Sequence, residues 1–120
     1  MKAWAVEHAL PFWATAGFDV DSARFEERLT LSGERILDIP IRLIVQARQV
    51  HVYALAAQRR WHAGALPLVE RAFQSMQRDY YRRDGRDGWA YSVMRDGTVA
   101  DPTRDLYAHA FVLLAVASYV

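Results

Sequence analysis

The sequence predicts an all-α domain in which short β-hairpins connect the helices. Four segments of the 120-residue chain space their apolar residues as helices do. Segments with a single apolar stripe alternate with segments that are apolar on several sides, and turn-forming residues separate them. This order of outer helix, β-hairpin and inner helix indicates a closed or stacked helical array, because each unit alone leaves an apolar surface uncovered.

Length and composition restrict the class of protein. One domain is expected from 120 residues, and a hydrophobic fraction of 52% is sufficient for a core. The net charge of +1 provides no field that would attract nucleic acid or an anionic membrane. No cysteine is present, which excludes disulfides, thiolate catalysis and cysteine-ligated zinc. Glu7 and His8 interrupt the N-terminal apolar run, and no apolar stretch is long enough to cross a bilayer, so a cytoplasmic location is predicted.

The first part of the chain is predicted to form a helix and a hairpin. Residues 2–15 are rich in Trp and Ala and favour a helix, which Pro11 should kink because proline lacks a backbone donor. Gly17 is expected to end this helix. Apolar residues alternate between Phe25 and Leu31 and are followed by Ser32-Gly33, which indicates a short hairpin.

The segment Arg42–Trp61 is the helix around which the other elements are expected to pack. Asp38 and Pro40 are predicted to supply its cap and its first turn. At about 100° per residue, one narrow stripe of this helix collects mostly polar residues. The members of that stripe are Arg42, Gln46, Gln49, Tyr53 and Arg60.

Arg48 lies on the opposite side of the same helix, among Ile44, Val52 and Leu55. A guanidinium is rarely buried without a partner, because removing a fixed charge from water is costly. Arg48 is therefore expected to pair with a carboxylate or to face a polar cavity, and the alternative is that it reaches solvent at the helix edge. The pattern predicts an interior helix with a cation on its apolar side.

A third helix and a second hairpin are predicted next. Pro67 should open an outer helix with one apolar stripe, which Asp84-Gly85 should end. Apolar and polar residues then alternate from Trp89 to Val93. Asp96-Gly97 follows them and is the strongest hairpin-turn signal in the chain.

The last predicted helix is expected to be capped by Asp101-Pro102. Its segment Phe111–Val116 is apolar on every side, which requires enclosure by other elements. The chain reaches Val120 within this helix, with no Gly, Lys or Arg in the last turn. Residues 1–120 are therefore expected to be the N-terminal part of a longer domain.

Three segments resemble one group of proteins. ALPFW, RLIVQARQVHVYA and DGWAYSVMRDGTVADPTRDLYAHAF are together similar to the N-terminal third of the N-acylglucosamine 2-epimerase superfamily. That group includes mannose isomerase, sulfoquinovose isomerase and the cellobiose 2-epimerases. The resemblance implies a partial (α/α)6 barrel of about two helical hairpins, with residues 1–120 as the N-terminal fragment of that single domain and inner helices lining a sugar pocket.

The resemblance also implies a chemistry. Members move a proton at C1 or C2 of an open-chain sugar through an enediolate, which needs imidazoles that titrate near neutral pH and a fixed cation beside the oxyanion. Arg48 matches the family arginine that contacts the O1/O2 region, and Tyr107 matches a pocket tyrosine. The acid–base histidines of the family are implied to lie beyond Val120, so the 120-residue chain alone is expected to be inactive.

Three further residues are candidates for substrate binding. His51 lies one turn from Arg48, His109 lies in the last helix, and Trp89 lies on the second hairpin. A histidine on an apolar helix is more often structural, and Trp89 can either stack on a sugar ring or pack in the core. The resemblance implies no cofactor, and no spacing of His, Asp and Glu resembles a metal site.

Two classes of function remain open on the sequence. The motif around His109 favours a mannose-type aldose–ketose isomerase within the family, with N-acylglucosamine 2-epimerase as the other choice, and the partner would be a small-molecule sugar. The alternative class is a non-catalytic helical interaction module, or a truncated product, whose exposed inner helices bind a partner or form a homo-oligomer. A glycoside hydrolase would need a flanking pair of carboxylates, which the sequence does not identify.

Overall fold

Three long helices form the core, and an N-terminal helical segment and two small sheets pack against them. The computed structural model describes residues 2–119, and about half of these are helical. The elements in chain order are α1 (Lys2–Trp4), a π-helical turn (Ala5–Ala9), α2 (Leu10–Thr15), β1 (Phe18–Asp19), β2 (Arg24–Phe25), β3 (Ile41–Arg42), α3 (Leu43–Gln58), α4 (Ala65–Tyr80), β4 (Ser92–Val93), β5 (Val99–Asp101) and α5 (Leu106–Tyr119). Because α3 packs against both α4 and α5, it is the central helix of the described chain.

The N-terminal helix is interrupted next to Pro11, as the sequence predicted. The Leu10 N–H bonds to the Ala5 carbonyl, which is the i→i+5 spacing of a π-turn. Pro11 lies in the first turn of α2 and has no N–H to donate, so the regular α-helical bonding cannot continue through it.

The buried side of α3 includes two residues of its polar stripe, which corrects the orientation predicted from the apolar pattern. Gln46 and Tyr53 are fully buried, whereas Arg48 is exposed and Val52 is 41% exposed. The Gln46 amide donates to the Phe25 carbonyl at 2.7 Å and accepts from the Phe25 N–H at 2.9 Å. The Tyr53 hydroxyl donates to the Leu10 carbonyl at 2.6 Å. These groups can be buried because each one has a partner.

The start of α3 is also different from the prediction, because Asp38 and Pro40 do not cap it. The residue before the helix is Arg42, whose side chain makes no capping hydrogen bond. The first helical N–H, that of Leu43, donates instead to the Tyr91 carbonyl at 2.8 Å. The residue that precedes β4, which is distant in sequence, therefore accepts from one of the N–H groups that lack a partner at the start of the helix.

Two antiparallel sheets connect the helices. β1 pairs with β2, and β4 lies between β3 and β5. The turn predicted at Asp96-Gly97 is confirmed: Gly97 has φ +91° and its N–H donates to the Met94 carbonyl at 2.9 Å. The left-handed conformation at this position is one that glycine adopts without steric cost.

The hairpin predicted over Phe25–Leu31 has a different pairing. Phe25 pairs backwards in the chain with Phe18 of β1. The Ser32-Gly33 turn is closed by a single antiparallel bridge between Leu29 and Arg35. Alternation of apolar residues indicates an extended segment but does not specify which neighbour it pairs with.

The outer position predicted for α4 is confirmed. Pro67 lies in its first turn, where a missing N–H is tolerated. Val69, Met76 and Tyr80 are buried on one side, and the Tyr80 hydroxyl donates to the Ile41 carbonyl at 2.7 Å. The residues expected to face away are all exposed: Glu70, Arg71, Gln74, Gln77 and Arg78.

The cap of α5 is Asp105 rather than Asp101. The Ala108 N–H donates to the Asp105 carboxylate at 2.8 Å, three residues into the helix. Asp101 accepts instead from the Thr103 N–H at 2.9 Å and so stabilises the preceding turn.

One side of α5 is uncovered within residues 2–119. Ala108, Val112 and Ala115 face α3, but Leu113 is 72% exposed and Leu114 is 41% exposed. The composition of Phe111–Val116 predicted that other elements enclose it on every side. Residues 2–119 leave one side of it exposed. None of the helices in residues 2–119 combines the length and the apolar character needed to cross a membrane.

A buried network of charges joins β2 to α4 and to the β4–β5 hairpin. Arg24 is 2% exposed and donates to Asp79, itself 4% exposed, at 3.1 Å. Asp79 also accepts from Arg78 at 2.8 Å, and these hydrogen bonds hold the pKa of the Arg78 guanidinium above its usual value. Glu26 pairs with Arg95 in the same region. Each buried charge therefore has an opposite charge beside it.

We predict that Asp79→Ala lowers the free energy of unfolding by about 3–5 kcal/mol, because it leaves the Arg24 guanidinium buried without its carboxylate. Urea denaturation measures this change. Asp87→Ala is the control, since its side chain is 94% exposed and pairs only with the surface residue Arg82. That control should produce no measurable change, and an equal loss in both variants would contradict the importance of the buried pair.

Gly17 is predicted to be required for the position of the Trp13 ring. A Cβ at Gly17 would lie 2.9 Å from the Trp13 ring atom Cδ2 and closer still to Cε3. Gly17→Ala should therefore displace the indole and cost about 1–3 kcal/mol in thermal unfolding. Gly64→Ala is the matched control, because its Cβ would meet only His62, at 3.8 Å. Equal stability of the two variants would show that the ring is not held by Gly17.

Candidate active site

A cavity of about 320 Å³ lies beside the N-terminal half of α3. Three separate parts of the chain form its wall, which we call the Arg48 cavity. The lining residues are Trp13 from α2, Glu27 from the segment after β2, and Val45, Arg48, Gln49 and Val52 from α3. Its volume is close to the lower end of the range, about 300–1,000 Å³, that is usual for small-molecule sites.

Arg48 is exposed at this cavity and has an aromatic neighbour. Its guanidinium carbon lies over the ring of Phe111 from α5, 5.6 Å from the centroid. This is a cation–π distance. Among residues 2–119, no carboxylate lies within 4.0 Å of the Arg48 guanidinium. Of the environments expected from the sequence, the structure shows no ion pair within residues 2–119. Arg48 is exposed, as the solvent alternative expected, and it also lines a cavity.

Tyr107 contacts the Phe111 ring, which Arg48 also contacts, but Tyr107 does not line the Arg48 cavity. Its ring is 66% exposed and packs edge-to-face on Phe111, with centroids 5.2 Å apart. Arg48 and Tyr107 thus contact one shared ring from two different helices. The Arg48 and Tyr107 side chains are both exposed.

His51 is engaged between the two helices. Its Nδ1 lies 2.5 Å from the Ser118 hydroxyl oxygen, and that hydroxyl donates its single proton to the Leu114 carbonyl at 2.8 Å. Nδ1 of His51 is therefore the donor to Ser118. The Gln58 amide donates to the Ser118 carbonyl at 2.8 Å, so the contact fixes α5 against α3.

His109 and Trp89 are engaged with each other. The backbone N–H of Trp89 donates to His109 Nε2 at 3.1 Å. The proton of the imidazole therefore lies on Nδ1, which donates to the Asp105 carbonyl at 2.7 Å. A Cβ on Gly88 would lie 3.0 Å from Nε2, which indicates how closely the hairpin approaches α5. The Trp89 ring packs on Tyr81 with centroids 5.0 Å apart. His51, His109 and Trp89 do not line the Arg48 cavity, and their contact with a sugar stays a prediction.

The sequence argument did not identify Glu27 as a site residue. Its two carboxylate oxygens accept from the backbone N–H and the Nε of Arg42, each at 2.8 Å. The side-chain bond from Nε to Glu27 holds the pKa of the Arg42 guanidinium above its usual value. Glu27 also lines a second cavity of about 610 Å³, whose wall includes Tyr91 and Asp101. No local pattern reveals this position, because Glu27 meets α3 only through the tertiary fold.

Trp13 and Gln49 are two further wall residues that were not predicted to be functional. Trp13 was recognised only as a large anchor of the first helix, and Gln49 only as a member of the polar stripe. Gln49 could have been found from the sequence, because it follows Arg48 directly and lies one helical turn from Val45 and Val52.

The chemistry that this site supports is binding and charge stabilisation. A guanidinium at a cavity wall can hold two neighbouring oxygen atoms of a ligand and stabilise negative charge that develops on them. No histidine of residues 2–119 lines the Arg48 cavity. The described residues therefore supply a cation and hydrogen-bonding groups to this cavity but no imidazole base.

Comparison with known proteins assigns the family. Residues 25–120 match the N-acylglucosamine 2-epimerase (GlcNAc 2-epimerase) family. The chain is 34% identical over 119 residues to a protein named mannose-6-phosphate isomerase from Rhizobium meliloti (strain 1021), covering 98% of this chain and 30% of that protein. It is 34% identical over 87 residues to D-mannose isomerase from Thermobifida fusca, covering 72% of this chain and 21% of that protein.

Two solved structures are similar in fold. Cellobiose 2-epimerase from Spirochaeta thermophila DSM 6192 superimposes with a TM-score of 0.87 at 26% identity, over 98% of this chain and 29% of that one. A sugar epimerase from a ruminal bacterium gives a TM-score of 0.86 at 20% identity, over 98% of this chain and 30% of that one. This chain thus spans less than a third of the length of each of these four proteins. The match over residues 25–120 shows that the chain belongs to the N-acylglucosamine 2-epimerase family.

Proposed function

We propose that the chain is the N-terminal part of a sugar isomerase or epimerase that moves a proton between C1 and C2 of an aldose. Residues 2–119 then form part of an (α/α)6 barrel, with α3 and α5 as inner helices and α4 as an outer helix. Family membership and the names of the related proteins support this reaction class. The single observation that carries it is the exposed Arg48 guanidinium at the cavity wall.

Arg48 is proposed to stabilise the intermediate. When a base removes the C2 proton, the C–H electrons form the C1–C2 double bond and the carbonyl electrons move to the oxygen. The resulting enediolate carries its oxygens on adjacent carbons, a geometry that suits the two parallel N–H donors of a guanidinium. Return of the proton to C1 yields the ketose, and return to the opposite face of C2 yields the epimer.

Tyr107 is proposed to bind a sugar hydroxyl. Its phenol is exposed one turn from Phe111, which Arg48 also contacts.

His51, His109 and Trp89 are proposed to act mainly by fixing α5 and the hairpin. The acid–base imidazoles are proposed to come from outside residues 2–119, so this segment alone should lack activity. A mannose-type substrate is favoured, because two related proteins are named after mannose or its phosphate.

A second candidate, a helical interaction module, is favoured by the uncovered side of α5. Leu106 is 86% exposed and Leu113 is 72% exposed on that helix. Contiguous exposed apolar surface on a soluble protein usually marks an interaction site. In the barrel proposal, further helices cover this side of α5. In the module proposal, a partner or a second copy of the chain covers it.

The test of the Arg48 proposal is the pair Arg48→Lys and Arg48→Met in the full-length protein. We expect kcat for aldose interconversion to fall by about 10²–10³-fold, the usual loss when one preorganised oxyanion donor is removed. The melting temperature should be nearly unchanged, because the side chain is exposed. A purely structural arginine would give the reverse result: a lower melting temperature in Arg48→Met, with the folded enzyme retaining its kcat.

The 120-residue chain alone is predicted to self-associate through α5. Light scattering should give an apparent mass above that of a monomer, and Leu113→Gln should reduce it. Leu31→Gln is the control, since Leu31 is even more exposed than Leu113 but lies in a turn outside α5. A monodisperse monomer at high concentration would contradict the assignment of this surface as an interface.

A further inference from the structure

The wall of the Arg48 cavity contains three side chains to which the proposed reaction assigns no role. Trp13, Glu27 and Gln49 come from three separate segments and meet at one cavity. We propose that they form a subsite, the distal wall, that binds the sugar hydroxyls remote from C1 and C2. This inference rests on the proposed function, because it takes Arg48 as the contact for O1 and O2.

Glu27 provides a fixed acceptor in the distal wall. Its side chain is only 10% exposed, and Arg42 holds both carboxylate oxygens at 2.8 Å. Each carboxylate oxygen has two lone-pair sites, so each can accept one further hydrogen bond. The ion pair also offsets the cost of keeping a carboxylate largely out of water. A sugar hydroxyl that donates to Glu27 therefore meets an acceptor that is already oriented.

Gln49 provides both a donor and an acceptor. Its side chain is half-buried at the cavity, and its amide makes no hydrogen bond to any other residue within the described range 2–119. Gln46 on the same helix differs, since its amide makes one donor and one acceptor hydrogen bond to the Phe25 backbone. An amide with unused donors and an unused acceptor matches a sugar hydroxyl, which both donates and accepts.

Trp13 provides an apolar surface of fixed orientation. Its ring lies against Gly17, where no side chain could be accommodated without displacing it. The C–H face of a sugar ring packs well on such an indole, while its hydroxyls reach polar groups at the rim.

The competing explanation is that Glu27 only anchors the segment after β2 to the start of α3. Both roles use the same ion pair, so stability alone cannot separate them. Substrate affinity separates the anchoring role from the binding role. A structural defect reduces the amount of folded enzyme and its apparent kcat but does not change KM. Loss of a contact that holds the sugar equally in the ground and transition states raises KM and leaves kcat unchanged.

The experiment measures D-mannose interconversion by the full-length protein and its variants Glu27→Gln and Gln49→Ala. For Glu27→Gln we expect KM to rise about tenfold or more, the range for a hydrogen bond to a charged group. For Gln49→Ala we expect a rise of about three- to tenfold, as for neutral hydrogen bonds. In both variants kcat should stay within about threefold of wild type.

The controls are Glu34→Gln and Gln77→Ala, which remove the same groups from exposed positions outside the cavity. Their KM should equal that of wild type. An unchanged KM in both Glu27→Gln and Gln49→Ala, with or without a lower melting temperature, would overturn the distal wall while leaving the reaction intact.

Failure of the proposed reaction gives a different result, namely no interconversion by the wild type. The distal wall is then tested by titrating D-mannose into full-length protein labelled with ¹⁵N at Trp and Gln. Shifts of the Trp13 indole N–H and the Gln49 amide signals support the subsite, with Gln77 as the internal reference. Signals of Trp13 and Gln49 that do not move at saturating mannose overturn it.

Discussion

The two hydrogen bonds between the Gln46 amide and the Phe25 backbone determine how α3 is oriented. Gln46 is fully buried, and its donor and its acceptor are both used by one residue of β2. Rotation of α3 about its axis would leave these groups unsatisfied in the core, at a cost of about 1–3 kcal/mol for each. The Tyr53 hydroxyl adds a similar constraint two turns further on, through the Leu10 carbonyl. The side of α3 that carries Gln46 and Tyr53 therefore lies inside.

The position of Arg48 follows from that orientation. Two residues along a helix correspond to about 200°, so a buried Gln46 directs Arg48 to the opposite side. There it meets the edge of α5 at Phe111 and the cavity that Trp13 and Glu27 complete. The same hydrogen bonds that hold Gln46 and Tyr53 in the core thus leave Arg48 exposed at the cavity. Stability and the proposed catalysis depend on one choice of helix face.

The parts of the fold that were predicted correctly depend on local chemistry. The Asp96-Gly97 turn, the irregularity at Pro11 and the outer position of α4 each follow from residues within one short segment. The errors concern long-range partners. Asp38 was expected to cap α3, but a carbonyl of β4's preceding residue, Tyr91, supplies the contact. Arg48 was identified because a cation on an apolar stripe is unusual, whereas Glu27 reaches the site only through tertiary pairing and has no sequence signal.

Arg24 and Arg48 show how environment separates two identical side chains. Arg24 is 2% exposed, and its guanidinium is committed to Asp79 and to a backbone carbonyl of the β4–β5 hairpin. The Arg48 guanidinium carbon lies 5.6 Å from the centroid of the Phe111 ring, and no carboxylate of residues 2–119 lies within 4.0 Å of the guanidinium. A bound oxyanion would have to compete with a carboxylate for Arg24, but for Arg48 it would replace only water. Among residues 2–119, Arg48 therefore combines a position at a cavity wall with the absence of a carboxylate within 4.0 Å of its guanidinium.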